Sequence, residues 1–311
     1  MKSCENARCE LDYWEKVYPI RTGWTDDEKY KVCDADGRTF FLRKAVLGRY
    51  ADLKGEAQLI RMLRKKGMPV AKVEEVDTCP EADKCYLLLE WIDGITLDNA
   101  LPLMTEQDQY ESGIKAGRQL RELHRIPPEI EAFPHRNLKK KKMNELNAYL
   151  DSSVRIEGDE TIVKHIKDNI DIIGNGPAVI EHSDYHPGNM ILRPDMSLAI
   201  IDFNGSHLGD AYEEFYKLEL FVIRLSRPYC LGQIHGYFNG DPPKDFWHAH
   251  SVYTAHAALY GFKWAEDHGK KGAWEEERRR LRRILKDYDH FRRIIPAWYI
   301  LFEDYRKPND E

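Results

Sequence analysis

The chain is poor in several features that would declare a function outright. No stretch approaches the roughly 18 consecutive apolar residues of a membrane-spanning helix. Residues 1–10 are polar and lack the apolar core of a secretory signal. Its 311 residues include six cysteines, Cys4, Cys9, Cys33, Cys79, Cys85 and Cys230, with no C-x-x-C pair. Histidine, cysteine and carboxylate residues nowhere take zinc-ligand spacing. Cys79 and Cys85 flank an apparent turn, Pro80 to Lys84, where a disulfide is geometrically conceivable. So few thiols over this length nevertheless read as reduced cysteines of a cytoplasmic protein. Positive charge is also not in excess: 47 Lys and Arg stand against 53 Asp and Glu, a net −6. No nucleic-acid or membrane partner is therefore expected, and a cationic small partner is compatible with that sign. Neither G-x-S-x-G nor G-x-G-x-x-G occurs, which removes sequence support for a serine-elbow acyl transferase and for a standard glycine-rich phosphate loop.

What is present divides near Asp93-Gly94. Before it, Tyr30 to Cys33 and Thr39 to Val46 are β-prone runs joined by Asp34-Ala-Asp-Gly37, a hairpin turn of the Asp-Gly kind. Lys54 to Lys66 places Leu59, Ile60, Met62 and Leu63 among charges, which predicts an amphipathic helix ended by Gly67-Met-Pro69. Val70 to Val76 and Cys85 to Trp91 follow as strands, the second nearly all apolar and so buried. After Asp93-Gly94 the pattern turns helical, over Gln107 to His124, around Asp159 to Ile172 and from Ala211 to Arg306. Val179 to Phe203 reads instead as small strands around a loop. The domains expected are 1–93, β-rich, and 94–311, larger and helical. Lys139 to Lys142 and Glu275 to Arg280 read as solvated helix faces.

The stretch that carries chemistry is His182-Ser-Asp-Tyr-His-Pro-Gly-Asn189, followed by Ala199-Ile-Ile-Asp202-Phe203. Phosphoryl transfer to an alcohol asks little covalent help of a protein. It needs the hydroxyl oriented, its proton accepted, and metal ions held against the phosphates. One aspartate on a rigid loop meets the first demand. An amide oxygen and a second carboxylate meet the other, since Mg²⁺ prefers hard oxygen ligands. Asn189 lies five positions after Asp184, and Asp202 thirteen after Asn189.

This spacing is similar to the catalytic and metal-binding loops of protein kinases, and it resembles more closely the aminoglycoside phosphotransferase and choline-kinase-like family. Ser183 stands where a protein kinase carries Arg, Asn204 where it carries Gly, and no A-P-E segment follows. The resemblance implies an α+β, bilobal protein-kinase-like fold, with a small β-rich N-lobe, a larger helical C-lobe and nucleotide plus Mg²⁺ in the interlobe cleft. It implies Asp184 as catalytic base, Asn189 and Asp202 as metal ligands, His182 as a brace, and His186 and Asp210 as shapers of the loop and the metal's surroundings. ATP or GTP would be the co-substrate.

Supporting positions are assigned on the same footing. Arg43 or Lys44 would contact the α- and β-phosphates; strand alternation allows only one of them to do so, and Glu56 on the next helix would be its partner. Thr22 and Gly23 would belong to the nucleotide loop, and the backbone of Glu90 and Ile92 would bond the adenine. Asp210, Glu213, Glu214, Asp241 and Glu303 are the candidates for contacting a cationic acceptor. The expected function is transfer of a nucleotide γ-phosphate to a small-molecule hydroxyl, with an aminoglycoside-type antibiotic first among acceptors. The alternatives are a metabolic alcohol kinase of the same fold and a catalytically silent pseudokinase. A monomer or homodimer is expected.

Overall fold

The computed structural model describes residues 7–21, 26–127, 137–268 and 273–300. In chain order the first part gives β1 (Lys16–Ile20), β2 (Glu28–Cys33), β3 (Thr39–Val46), α1 (Tyr50–Lys65), β4 (Val73–Cys79) and β5 (Lys84–Glu90). The short β6 (Ile95–Thr96) and α2 (Leu97–Ala100) follow, then the long α3 (Glu106–Arg125), α4 (Leu138–Leu150) and α5 (Glu160–Asn169). Four three-residue strands come next: β7 (Val179–Glu181), β8 (Met190–Leu192), β9 (Leu198–Ile200) and β10 (His207–Gly209). The chain ends in α6 (Arg227–Phe238), α7 (Lys244–Asp267), α8 (Ala273–Asp287) and α9 (Ala297–Ile300).

Two compact units result. One takes the chain through Ala100 together with Pro187–Ser206, and the other takes the helices, including the residues up to His186 and those from His207. The chain therefore passes from one unit to the other in the middle of the His182–Asn189 motif.

The first unit is built on an antiparallel sheet in the order β1-β2-β3-β5-β4. Pro19 disguises β1 in the sequence. It is tolerated because β1 is an edge strand, where a missing N–H costs no ladder bond. Because alternate residues face opposite ways, Val32, Leu42, Tyr86 and Leu88 share one face. There they pack with Cys9, Trp14 and Cys79, so the N-terminal residues cover that side of the sheet. Cys9 and Cys79 are joined as a disulfide, with Cα atoms 6.4 Å apart, which corrects the expectation of reduced thiols throughout. The conceivable Cys79–Cys85 pair is excluded by register. Cys79 lies opposite Lys84, so Cys85 turns to the other face, where its thiol donates to the Val46 carbonyl at 3.2 Å. A second, small sheet, β6-β8-β9, carries Asn189 and Asp202 at its end.

In the second unit α3 and α6 cross in backbone contact. Thr105 caps α3 by accepting the Asp108 N–H, and Ser226 caps α6 by accepting that of Tyr229. Gly113 and Gly117 on α3 meet Gly232 and Gly236 on α6, four residues apart on each helix. Around α4, α5, α7 and α8 lies a hydrophobic core that includes Tyr149, Ile166, Leu259, Phe262, Ile284 and Tyr288. Lys142 departs from the solvated face expected of the lysine run. It is buried, and its ammonium lies 2.7 Å from Glu213. Among the described residues no helix is long and apolar enough to cross a membrane.

Candidate functional site

Strand register sends Arg43 and Lys44 to opposite faces of the sheet. Lys44 lies opposite Tyr86, on the face closed by Trp14 and the disulfide, and opposite Glu28 on the neighbouring strand. Arg43 lies opposite Leu87 on the other face, toward α1, where its guanidinium bonds Glu56. Two further carboxylates surround it: Asp27 at 3.7 Å from Nε and Asp202 at 3.8 Å from Nη1. Arg43 is only 2 % exposed, and a charge so buried persists only when paired. Burial alone would lower the Arg43 pKa, but Glu56, Asp202 and Asp27 outweigh it and hold the group charged. Asp27, which the sequence reading did not single out, is itself fixed by Arg49 through contacts of 2.8 and 3.0 Å.

Asn189 and Asp202 leave the same end of the β8–β9 hairpin. One step past the pair Met190↔Ile200, the Ile201 N–H donates to the Asn189 carbonyl at 3.0 Å. Asp202 itself has φ +66°, the left-handed region that non-glycine residues seldom occupy. Such a conformation costs on the order of 1–3 kcal/mol and is characteristic of residues whose side chain must be aimed. The donor set, one amide oxygen and one carboxylate in one unit with Asp202 about one-third exposed, suits a hard divalent cation. The Arg43 cation lies beside the same carboxylate, Asp202.

In the second unit the loop after β7 holds Asp184. Ser183, just before it, also has positive φ, +69°. Its N–H donates to the Glu214 carboxylate at 2.7 Å, and the Asp184 N–H donates to His182 Nδ1 at 3.3 Å. The side chain of Asp184 is 44 % exposed and meets two basic groups: Lys217 Nζ at 2.6 Å and His186 Nε2 at 3.3 Å. Partial burial would raise its pKa, but His186 and Lys217 outweigh this and hold the carboxyl well below the ordinary range. It is ionised and half open to solvent, and both neighbours compete for its oxygens.

Of the acids expected at an acceptor, Glu213 and Glu214 are buried, the first paired with Lys142 and the second accepting the Ser183 N–H. Asp210 accepts from Tyr253 Oη at 2.7 Å and from the Gly174 N–H at 2.7 Å, which ties it into the scaffold. Asp241 lines a cavity of about 280 Å³ with Tyr110, Arg118 and His235. At the end of β5, the Glu90 N–H is engaged by the Lys72 carbonyl at 2.8 Å, and its carboxylate lies 3.2 Å from Arg64; Ile92 is half-buried just beyond. Thr22, Gly23 and Glu303 lie outside the described residues. The sequence reading also missed Lys217; a lone lysine in a helical, charged segment gives no signal until folding sets it on Asp184.

Glu214 offers a pH test of the brace. Burial pushes its carboxyl up to about 7 from an unfolded value near 4.5. A raised folded-state pKa means its contribution to stability is whole below about pH 4.5 and fades as pH rises through about 7. In Glu214→Gln the amide oxygen still accepts the Ser183 N–H without carrying charge. Melting curves from pH 5 to 8 are expected to show a smaller loss of stability on the alkaline side than in the wild type; an unchanged slope would mean Glu214 does not titrate there.

The model of the phosphotransferase enzyme family, APH, matches residues 16–249. No curated protein matches the chain in sequence. Among solved structures, a GDP and kanamycin complex of APH(2")-IIia is similar with TM-score 0.68 and 14% identity, over 87% of this chain and 93% of that one. An aminoglycoside phosphotransferase from Alicyclobacillus acidocaldarius gives TM-score 0.60 and 13% identity, covering 90% and 94%. The amicoumacin kinase hAmiN, in complex with AMP-PNP, Ca²⁺ and Ami, gives 0.62 and 16%, covering 94% and 92%. Identities this low speak for the fold alone, an antiparallel-sheet unit and a helical unit of protein-kinase-like type. Matched by the family model over more than half its length and carrying that fold, the chain belongs to the phosphotransferase enzyme family.

Proposed function

We propose that the protein transfers the γ-phosphoryl group of ATP or GTP to a hydroxyl of a small molecule. The observation that carries this is the placing of Asp184, ionised, half-exposed and set on a loop braced by Glu214. In this reading Asp184 orients the acceptor hydroxyl and takes its proton as the oxygen attacks in line. Arg43, held by Glu56, contacts the α- and β-phosphates. Asn189 and Asp202 would hold Mg²⁺, which when bound neutralises charge on the phosphate oxygens. The backbone near Glu90 and Ile92 would receive the base. An intact Asp184, Asn189 and Asp202 set speaks against a silent pseudokinase.

Among acceptors, an aminoglycoside-type antibiotic is the first candidate, since kanamycin, gentamicin and streptomycin complexes are among the similar structures. A second reading, a less cationic metabolic alcohol, has its own support. Glu213, Glu214 and Glu219 are buried and engaged internally, so these three acids do not offer the open negative surface that a polycation favours. Nucleoside triphosphate and Mg²⁺ supply point to the cytoplasm, with the Cys9–Cys79 disulfide the one observation against it.

The test is nucleotide consumption with ATP and with GTP, against kanamycin, gentamicin, streptomycin and a panel of metabolite alcohols. Acceptor-dependent ADP or GDP release is expected, abolished by chelating Mg²⁺. Asp202→Ala is expected to weaken nucleotide binding at least tenfold, about 1.4 kcal/mol, with Mg²⁺ present and little without it. Equal loss in both conditions would remove Asp202 from the metal site.

A further inference from the structure

We propose that Lys217 is a catalytic residue whose ammonium contacts the phosphoryl group as it passes to the acceptor oxygen. This rests on the phosphotransferase reading and adds to it a residue on the acceptor side of the reaction.

The side chain of Lys217 is 12 % exposed, and its stem runs out of the segment just before Leu218–Val222, a single π-helical turn. Fully buried Glu214 lies close enough to influence its charge. Lys217 Nζ reaches Asp184 Oδ1 at 2.6 Å, the more exposed carboxylate of the two. The rings of Tyr216 and Phe221, with centroids 5.4 and 5.8 Å from Nζ, flank the ammonium and limit where it can point.

Proximity then fixes its role. A hydroxyl that gives its proton to Asp184 sits roughly 2.6–3.2 Å from that carboxylate. The phosphorus it attacks lies about 3–3.5 Å from the hydroxyl oxygen. An ammonium already on Asp184 is thus within one side-chain adjustment of the equatorial oxygens of the transferring group. A cation there also resolves an apparent conflict. Lys217 makes Asp184 a weaker base, which would be a defect if proton removal limited the reaction. In a loose phosphoryl transition state little proton transfer is needed, and the charge to be met is on the three phosphoryl oxygens. The lysine donates to Asp184 at rest and shifts its hydrogen bonds to those oxygens during transfer. The bond from phosphorus to the leaving oxygen breaks, the bond to the acceptor oxygen forms, and the acceptor's proton goes to Asp184.

The test needs no known acceptor. ADP with Mg²⁺ and aluminium fluoride mimics the transferring group with water in the attacking position, and its affinity is compared with that of ADP and Mg²⁺ alone by calorimetry. In the wild type, fluoride is expected to tighten binding. In Lys217→Met that tightening should fall about 10²-fold, as for loss of one transition-state donor, with ADP affinity within twofold. Lys217→Arg should recover most of it. Retained ADP binding certifies that the variant is folded, and Lys217→Gln replaces Lys217→Met if it is not. Equal tightening in wild type and Lys217→Met overturns the inference, as does a wild type that binds ADP without tightening. A wild type that binds neither ADP nor the fluoride complex overturns the phosphotransferase reading itself.

Discussion

Asp184→Asn is expected to lower the turnover number for phosphoryl transfer by about 10²–10⁴-fold, through loss of the charged group that orients the acceptor hydroxyl and takes up its proton late in transfer. Asparagine keeps the size of the side chain and leaves Ser183, His182 and Glu214 to hold the loop as before. Three things change. The oxygen that receives the proton becomes a weak acceptor, the acceptor hydroxyl loses a charged partner, and Lys217 and His186 lose theirs. Nucleotide affinity should stay within a few-fold, because Arg43, Glu56 and Asp202, the groups expected at the nucleotide, belong to the other compact unit. Steady-state kinetics with the acceptor found by screening, alongside nucleotide titration, separates the two quantities. Turnover within tenfold of wild type would mean that Asp184 is not the base.

Gly117→Ala is the largest stability effect expected. Alanine in place of a mid-helix glycine ordinarily gains about 1 kcal/mol of helix propensity. Here the new Cβ would stand 2.1 Å from the Gln233 carbonyl oxygen and 2.6 Å from the Tyr237 nitrogen, both backbone atoms of α6. Backbone in a capped helix cannot rotate away as a side chain can, so the helices must separate. Gly113, Gly232 and Gly236 have contacts of 2.1 to 2.3 Å of the same kind, so a shift at one loosens the whole crossing. Overpacking of this sort costs roughly 1–3 kcal/mol and more where the backbone resists, which outweighs the propensity gain. The catalytic loop shares the loss, since Tyr185 donates to the Ala116 carbonyl at 2.7 Å. Gly55→Ala in α1 is the control: its Cβ meets nothing within 4 Å, and a gain of about 0.5–1 kcal/mol is expected. Denaturant midpoints of the two variants should move in opposite directions; a Gly117 variant as stable as wild type would show that the crossing has slack.

Much of the molecule was legible in advance because it depends on local chemistry. The run Thr39 to Val46 is a strand with the bounds predicted, and the helix from Glu106 to Arg125 differs from its expectation by one residue at each end. The first is an unbroken β-prone run and the second sets apolar residues at helical spacing, and their ends carry explicit signals, a hairpin turn for one and Thr105 and Pro127 for the other. β1 was missed because Pro19 argues against a strand unless the strand is known to be at an edge. The lysine run at 139–142 was read as solvated because sequence shows charge and not the Glu213 that awaits it.

The catalytic motif is the clearest division between the two sources. Residue types and spacing, with the family resemblance they carry, put Asp184, Asn189 and Asp202 forward, since few combinations of carboxylate and amide serve phosphoryl transfer and these are close in the chain. Sequence also showed that Arg43 and Lys44 must face opposite ways. Which of them turns toward Glu56 was decided only by register against β5, a property of pairing between distant segments. The same holds for Cys9 with Cys79, for Glu214 under Ser183 and for Lys217 on Asp184, separated by 70, 31 and 33 positions. Local pattern fixes what a residue can do; burial and long-range contact determine which partner it does it with.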